Sequence, residues 1–212
     1  MIRRLAPFLV LLAFTNAAEA QLMACTPDSP ERRGEPGCTI VGNKSLPSRL
    51  RAPVFWHIDE FPTLAAAQRA EGPTSVTFEA QGSAWLYTID SDSSSRHGGT
   101  QRGVVGPLPI HPDRLYRIMA MATRFLPGQF SPVHTHSGPE AWWVLEGEQC
   151  LQTTRATVRA HAGQSAFVAE GDTMRLVATG TGPRRALVLI LYDADRPASF
   201  MLENPPPLKS CN

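Results

Sequence analysis

Between residues 112 and 193 apolar and polar positions alternate in short bursts. The runs "RLYRIMAMATRF", "EAWWVLEG", "EQCLQT", "ATVRAH", "QSAFVAEG", "TMRLVATG" and "RRALVLILYDAD" are broken by glycine-bearing turns at close spacing. A period of two sends successive side chains to opposite faces of a strand, and short strands at this spacing predict a sandwich or barrel. Upstream, "PVFWHIDEFP", "TSVTFEA" and "SAWLYTID" read as further strands, and Thr63 caps a short Ala-rich helix, "LAAAQRAEG", that Gly72 and Pro73 end. "SDSSSRHGGTQRG" reads as a polar loop or flexible insertion. Residues 21–52, with "TPDSPERRGEPG", show no period and predict an irregular arm, while the tail, with Pro205 to Pro207, carries neither pattern and is expected to pack on the surface.

The chain has 212 residues, enough for one domain with a substantial core. Its formal net charge is +1 with both signs interspersed, which removes nucleic acid and anionic membrane surfaces as partners and leaves small molecules. Arg3 and Arg4 precede an apolar run from Leu5 to Ala13, and "AEA" ends at Ala20. That run is too short to span a bilayer and fits a secretory signal cleaved after Ala20, so a periplasmic or secreted protein is expected. "LMAC" at 22–25 loosely resembles a lipobox, but Glu19 and Gln21 argue against it.

Export favours disulfides for Cys25, Cys38, Cys150 and Cys211. Three connectivities are open. The favoured one joins Cys25 to Cys38 across a Pro- and Gly-rich loop and Cys150 to Cys211, tying the tail to the body of the domain.

The chemistry concentrates in "GQFSPVHTHSGPEAWWVLEG", residues 128–147. On a strand, His134 and His136 share a face and their imidazoles can converge on one point. Ser137, Gly138 and Pro139 can turn the chain and bring Glu140 back over them. Two imidazoles and a carboxylate make a metal site. Trp142 shares strand parity with Glu140 and is a candidate pocket wall, whereas Trp143 faces the other way. His57, His97, His111 and His161 occur singly and read as surface or loop residues. Motifs for a serine nucleophile elbow, a P-loop or a C-x-x-C pair are missing from the sequence.

With Gly128, His134, His136, Glu140 and Gly147 at fixed spacing, this stretch resembles the first motif of the cupins. The resemblance implies an all-β, cupin-type double-stranded β-helix, or jelly roll, with additional N-terminal strands and one short helix. It implies a barrel core over 112–193 with strands and a helix extending it over 53–111, which leaves the signal peptide (1–20), the irregular arm (21–52) and the tail (194–212) read above. It also implies one divalent metal, with iron, manganese, zinc, nickel and copper undistinguished, held by His134, His136 and Glu140. The second cupin motif is degenerate: its register falls on Gly163, Ala169, Gly171, Met174 and Ala178, so Met174 stands where a fourth, histidine ligand is expected. Two function classes follow. One is a metal-dependent enzyme, oxygenase- or isomerase/lyase-like, on a small oxygenated substrate; the other is a non-catalytic metal or small-molecule binding or sensing module. No catalytic residue is assigned, no membrane contact is expected after signal cleavage, and a homodimer is a possible assembly.

Overall fold

The structure is a computed structural model that describes residues 25–29 and 34–211; the expected signal sequence lies outside them. In chain order the described elements are β1 (Cys25–Pro27), β2 (Gly37–Ser45), β3 (Phe55–Phe61), α1 (Leu64–Ala70), β4 (Ser75–Ala80), β5 (Ser83–Asp90), β6 (Thr100–Val105) and β7 (Tyr116–Phe125). There follow β8 (His134–His136), β9 (Glu140–Glu146), β10 (Glu148–Thr153), β11 (Thr157–His161), β12 (Ser165–Val168), β13 (Met174–Ala178), β14 (Arg184–Asp193) and β15 (Ser199–Met201).

These strands form three sheets, ordered β1-β2-β7-β14-β9-β12, β11-β10-β13-β8-β15 and β4-β5-β3-β6. From β7 to β14 the chain passes back and forth between the first two sheets, giving β7-β14-β9-β12 in one and β11-β10-β13-β8 in the other. That is an all-β jelly roll.

The sheet containing β14 is buried on both faces. Leu187, Leu189 and Leu191 point out into a core shared with Trp56, Ile58, Phe78 and Tyr87 of the third sheet. Val188, Ile190 and Tyr192 point into the barrel with Met121, Trp142 and Leu176. A strand covered on both sides needs no polar face, which is why "RRALVLILYD" reads as an almost unbroken apolar run. Gly103 on β6 makes the junction close: a Cβ there would sit 2.6 Å from the Trp143 ring, so only glycine lets that indole lie against the third sheet. On the opposite face of this sheet α1 starts at Thr63, whose hydroxyl accepts from the Ala66 amide, and buries Ala67 near Phe61 and Leu86.

Three expectations are corrected. The segment 21–52 is not irregular throughout, because β2 pairs with β7 from Gly37↔Arg124 to Ser45↔Arg117 and β1 pairs with β2. Its pairing partner lies some eighty residues away, so no local pattern could reveal it. Residues 53–111 do not extend the barrel sheets but build their own four-stranded layer, and the supposed polar insertion ends in β6. The tail does not merely lie on the surface: β15 pairs with β8, setting Ser199 opposite His136 and Met201 opposite His134. Cys25 is disulfide-bonded to Cys38 and Cys150 to Cys211. Among the described residues no helix is long and apolar enough to cross a membrane.

Candidate metal centre

β8 is three residues long, and its alternation buries His134 and His136 while leaving Thr135 on the other side. The turn to β9 is held by backbone. Ser137 Oγ donates to the Pro197 carbonyl at 2.8 Å, and the Leu191 and Asp193 amides donate to the Pro139 and Ser137 carbonyls. Gly138 passes so close to β14 that a Cβ would lie 2.0 Å from the Leu191 oxygen. This turn delivers Glu140, the first residue of β9, beside the two rings.

The ligand atoms of His134, His136 and Glu140 all lie within 4.8 Å of one another, and the three residues are buried. The imidazoles stand edge to face, 4.6 Å between centroids. His134 Nδ1 is 2.7 Å from the Pro132 carbonyl oxygen; His136 Nδ1 is 3.0 Å from the Ala198 carbonyl oxygen and 3.0 Å from Ser199 Oγ. A carbonyl only accepts, so each Nδ1 carries a proton and each neutral ring keeps its lone pair at Nε2, facing inward. His136 Nε2 and Glu140 Oε2 are 2.8 Å apart, yet neither is aligned for a hydrogen bond, and both are buried without a partner. Lone pairs that crowd together without bonding one another are arranged for a cation between them.

Burial works against charge on both rings. On His134 it prevails and lowers the pKa from 6.5; on His136 the charge of the Glu140 carboxylate, 2.8 Å away, overrides it and the pKa is raised.

A cavity of about 50 Å³ opens beside the cluster, lined by His134, Glu140, Trp142, Met174 and Arg184. Met174 is the first residue of β13 and the cross-strand partner of His134, fully buried. Trp142 projects from β9 on the same side as Glu140, while Trp143 packs in the outer core. The Cys25–Cys38 disulfide also borders this cavity, so the supposed loose arm forms part of its wall.

Arg184 was not singled out from the sequence, although alternation along β14 puts it on the face of Val188 and Ile190. Its side chain is completely buried, donates to Thr123 Oγ1 and Gln149 Oε1, and lies 5.7 Å over the Phe125 ring; its Nε has no partner. Burial pulls its pKa down to about 9, which still leaves the guanidinium charged at neutral pH. His111 and His161 are exposed and His97 lies on a loop, as expected, but the expectation for His57 fails. His57 is fully buried, and the His97 ring lies 4.9 Å from it, because the loop after β5 folds back over β3.

A jelly roll with an inward His-x-His pair and a following glutamate defines the class of protein. Residues 121–190, about a third of the chain, match the family described as Cupin domain. A cupin superfamily protein from Desulfitobacterium hafniense is 16% identical over 41% of this chain and 74% of that one, with a TM-score of 0.34. An oxalate oxidase in complex with the substrate analogue glycolate is 17% identical over 40% of this chain and 46% of its own, with a TM-score of 0.36. The DMSP lyase DddQ from Ruegeria pomeroyi is 24% identical over 40% and 42%, with a TM-score of 0.35. This chain therefore spans less than half the length of the last two. No curated protein has a significant match to it.

Proposed function

We propose that the protein is an exported, metal-dependent enzyme acting on a small oxygenated anion inside the barrel. His134, His136 and Glu140 would hold one divalent ion, and the orphaned His136 Nε2 and Glu140 Oε2 carry that assignment. Nitrogen and carboxylate donors suit iron, manganese, zinc, nickel or copper, and the ion would supply Lewis acidity or an open coordination position.

The charge balance selects the substrate. A divalent ion and the Arg184 guanidinium against the single carboxylate of Glu140 leave two positive charges in the barrel without a counterion, and buried charge is costly unless paired. A small carboxylate or enolate anion offsets one of them, and a dianion both. The cavity, about 50 Å³, admits a few water molecules or a substrate of a few heavy atoms. Arg184 enters six residues along β14 from Ile190, the cross-strand partner of Glu140, so guanidinium and triad mark two ends of one space. Arg184 orients the anion, and Trp142 and Met174 keep bulk water from it. Export is supported by the pairing of all four cysteines.

The alternative, a binding or sensing module, draws on one observation. Among the residues lining the cavity there is no titratable base besides the candidate ligands, since Met174 occupies the position of a further histidine. The test is thermal unfolding of the metal-loaded protein with two- to four-carbon carboxylates and with their neutral amides. Carboxylates are expected to raise the midpoint and amides to leave it unchanged. Equal shifts from both would sink the anionic substrate, and binding without turnover in air or under anaerobiosis would move the assignment to the binding module.

A further inference from the structure

The third sheet carries a second cluster that the barrel chemistry does not use. On β3, Trp56 and Ile58 face the core, so His57 and Asp59 face the opposite side, both completely buried. Asp90 ends β5 next to them, and the loop from 91 to 99 returns across this face. Gly99 packs so tightly on β3 that a Cβ would come within 2.9 Å of the Asp59 Cβ. His97, just before it, is brought to within 3.7 Å of Asp90, Nε2 to Oδ2.

The polar groups gathered here are left unmatched. Both carboxylate oxygens of Asp59 and the Nε2 atoms of His57 and His97 are buried without a hydrogen bond. The other ring nitrogen of His57, Nδ1, lies 3.2 Å from the Gln101 side-chain amide, which leaves Nε2 as the nitrogen without a hydrogen bond. Arg96 also lies near Asp59, and its Nη1 donates to the carbonyls of Ser94 and Ser95 rather than to the carboxylate. A buried carboxylate with neither oxygen satisfied is costly unless something neutralises it.

We propose that His57, Asp90 and His97, with Asp59 beside them, form a second divalent-metal site of the zinc class, which fastens the loop between β5 and β6 to the outer face of the third sheet. One ligand atom from each of His57, Asp90 and His97 lies within 4.8 Å of the others. Donors on a shared tetrahedral zinc lie about 3.3 Å apart, so small side-chain rotations close the set. Two imidazoles among the donors select zinc and its neighbours over calcium or magnesium, which take oxygen ligands. Asp59 completes the sphere as a fourth ligand or accepts from a ligand histidine, and in either role its charge is matched.

The experiment is zinc stoichiometry on untagged full chain, stripped with chelator and dialysed against stoichiometric zinc at neutral pH. Wild type is expected to bind two equivalents, the His134→Ala/His136→Ala variant one, and the same variant with His97→Gln none. His97 is partly exposed on a loop, so its replacement does not threaten the core. Should the barrel variant fail to fold, His97→Gln alone reads the same quantity and is expected to lower two equivalents to one. If the barrel reading is the one in error, wild type binds a single equivalent that survives loss of His134 and His136 and disappears with His97→Gln. Zinc content unaffected by His97→Gln overturns the proposal, as does a folded barrel variant that binds none.

Discussion

The two histidine and carboxylate clusters share a donor set but differ in how the chain builds it. In the barrel all three residues lie between 134 and 140, on β8 and at the start of β9 across one turn, and backbone carbonyls fix both imidazoles through Nδ1. On the third sheet the residues come from β3, the end of β5 and a loop, and a side-chain amide meets the His57 ring at Nδ1. The barrel site is therefore preorganised by secondary structure, whereas the outer site exists only once the loop has closed. Preorganised donors bind without an ordering cost; donors on a loop must be gathered first, and the ion contributes to holding them.

The sharpest way to break this contrast is removal of a barrel ligand. His136→Ala takes away the ring whose Nε2 approaches Glu140 and leaves that carboxylate buried and unpaired. Metal affinity at the barrel is expected to fall by more than about 100-fold, beyond the range seen when only an outer-shell partner is lost. The outer cluster, on the opposite side of the third sheet, should keep its ion. Equilibrium dialysis reads both, and retention of barrel metal would remove the triad as its ligand set.

The same contrast governs what the sequence reveals. The His-x-His pair and Glu140 are local, so strand parity and one turn suffice to bring them together, and the strands from β7 to β14 carry patterns bounded by glycines. Met174 too was placed by motif spacing, and β13 sets it opposite His134. What stayed hidden depends on pairings between distant segments. β2 meets β7, β15 meets β8, and His97 meets His57 across a returning loop, none of which leaves a periodic trace. A signal for Arg184 was present in the parity of β14, and a His-x-Asp pair within "FWHIDEF" marks β3, but a single charged residue beside an apolar run is ordinarily read as its solvent-facing end.

A smaller effect sharpens the barrel side of the comparison. Directly opposed residues on antiparallel strands have Cβ atoms about 5 Å apart, so a histidine at 174 would present its ring beside that of His134. Met174→His would add an imidazole where a thioether now stands, and imidazole is the better donor for zinc, iron or nickel. Barrel affinity is expected to rise about tenfold, or about 1.4 kcal/mol, with the outer site unchanged. Unchanged barrel affinity in a folded variant would mean that position 174 does not reach the ion.

The smallest expected effect separates the outer site with and without metal. In the chelator-stripped protein burial raises the pKa of Asp59 above its usual 3.8, even against the pull of His97, His57 and Arg96. A carboxyl whose folded pKa is raised contributes stability that is complete below the unfolded value and is lost as pH rises through the folded one. At neutral pH the charged Asp59 therefore weakens the metal-free fold, and Asp59→Asn removes the charge while keeping the shape. The variant is expected to be more stable than wild type by about 1 kcal/mol at pH 7, a rise of roughly 2–4 °C in unfolding midpoint. That gap should shrink as the pH is lowered toward 4, where the wild-type carboxyl takes up its proton. Zinc should reverse the order, because the ion matches the aspartate charge and not the amide. Thermal unfolding at pH 7 and pH 4, with chelator and with zinc, checks each sign. An Asp59→Asn variant less stable than wild type in chelator would mean that the carboxylate is already paired within the protein.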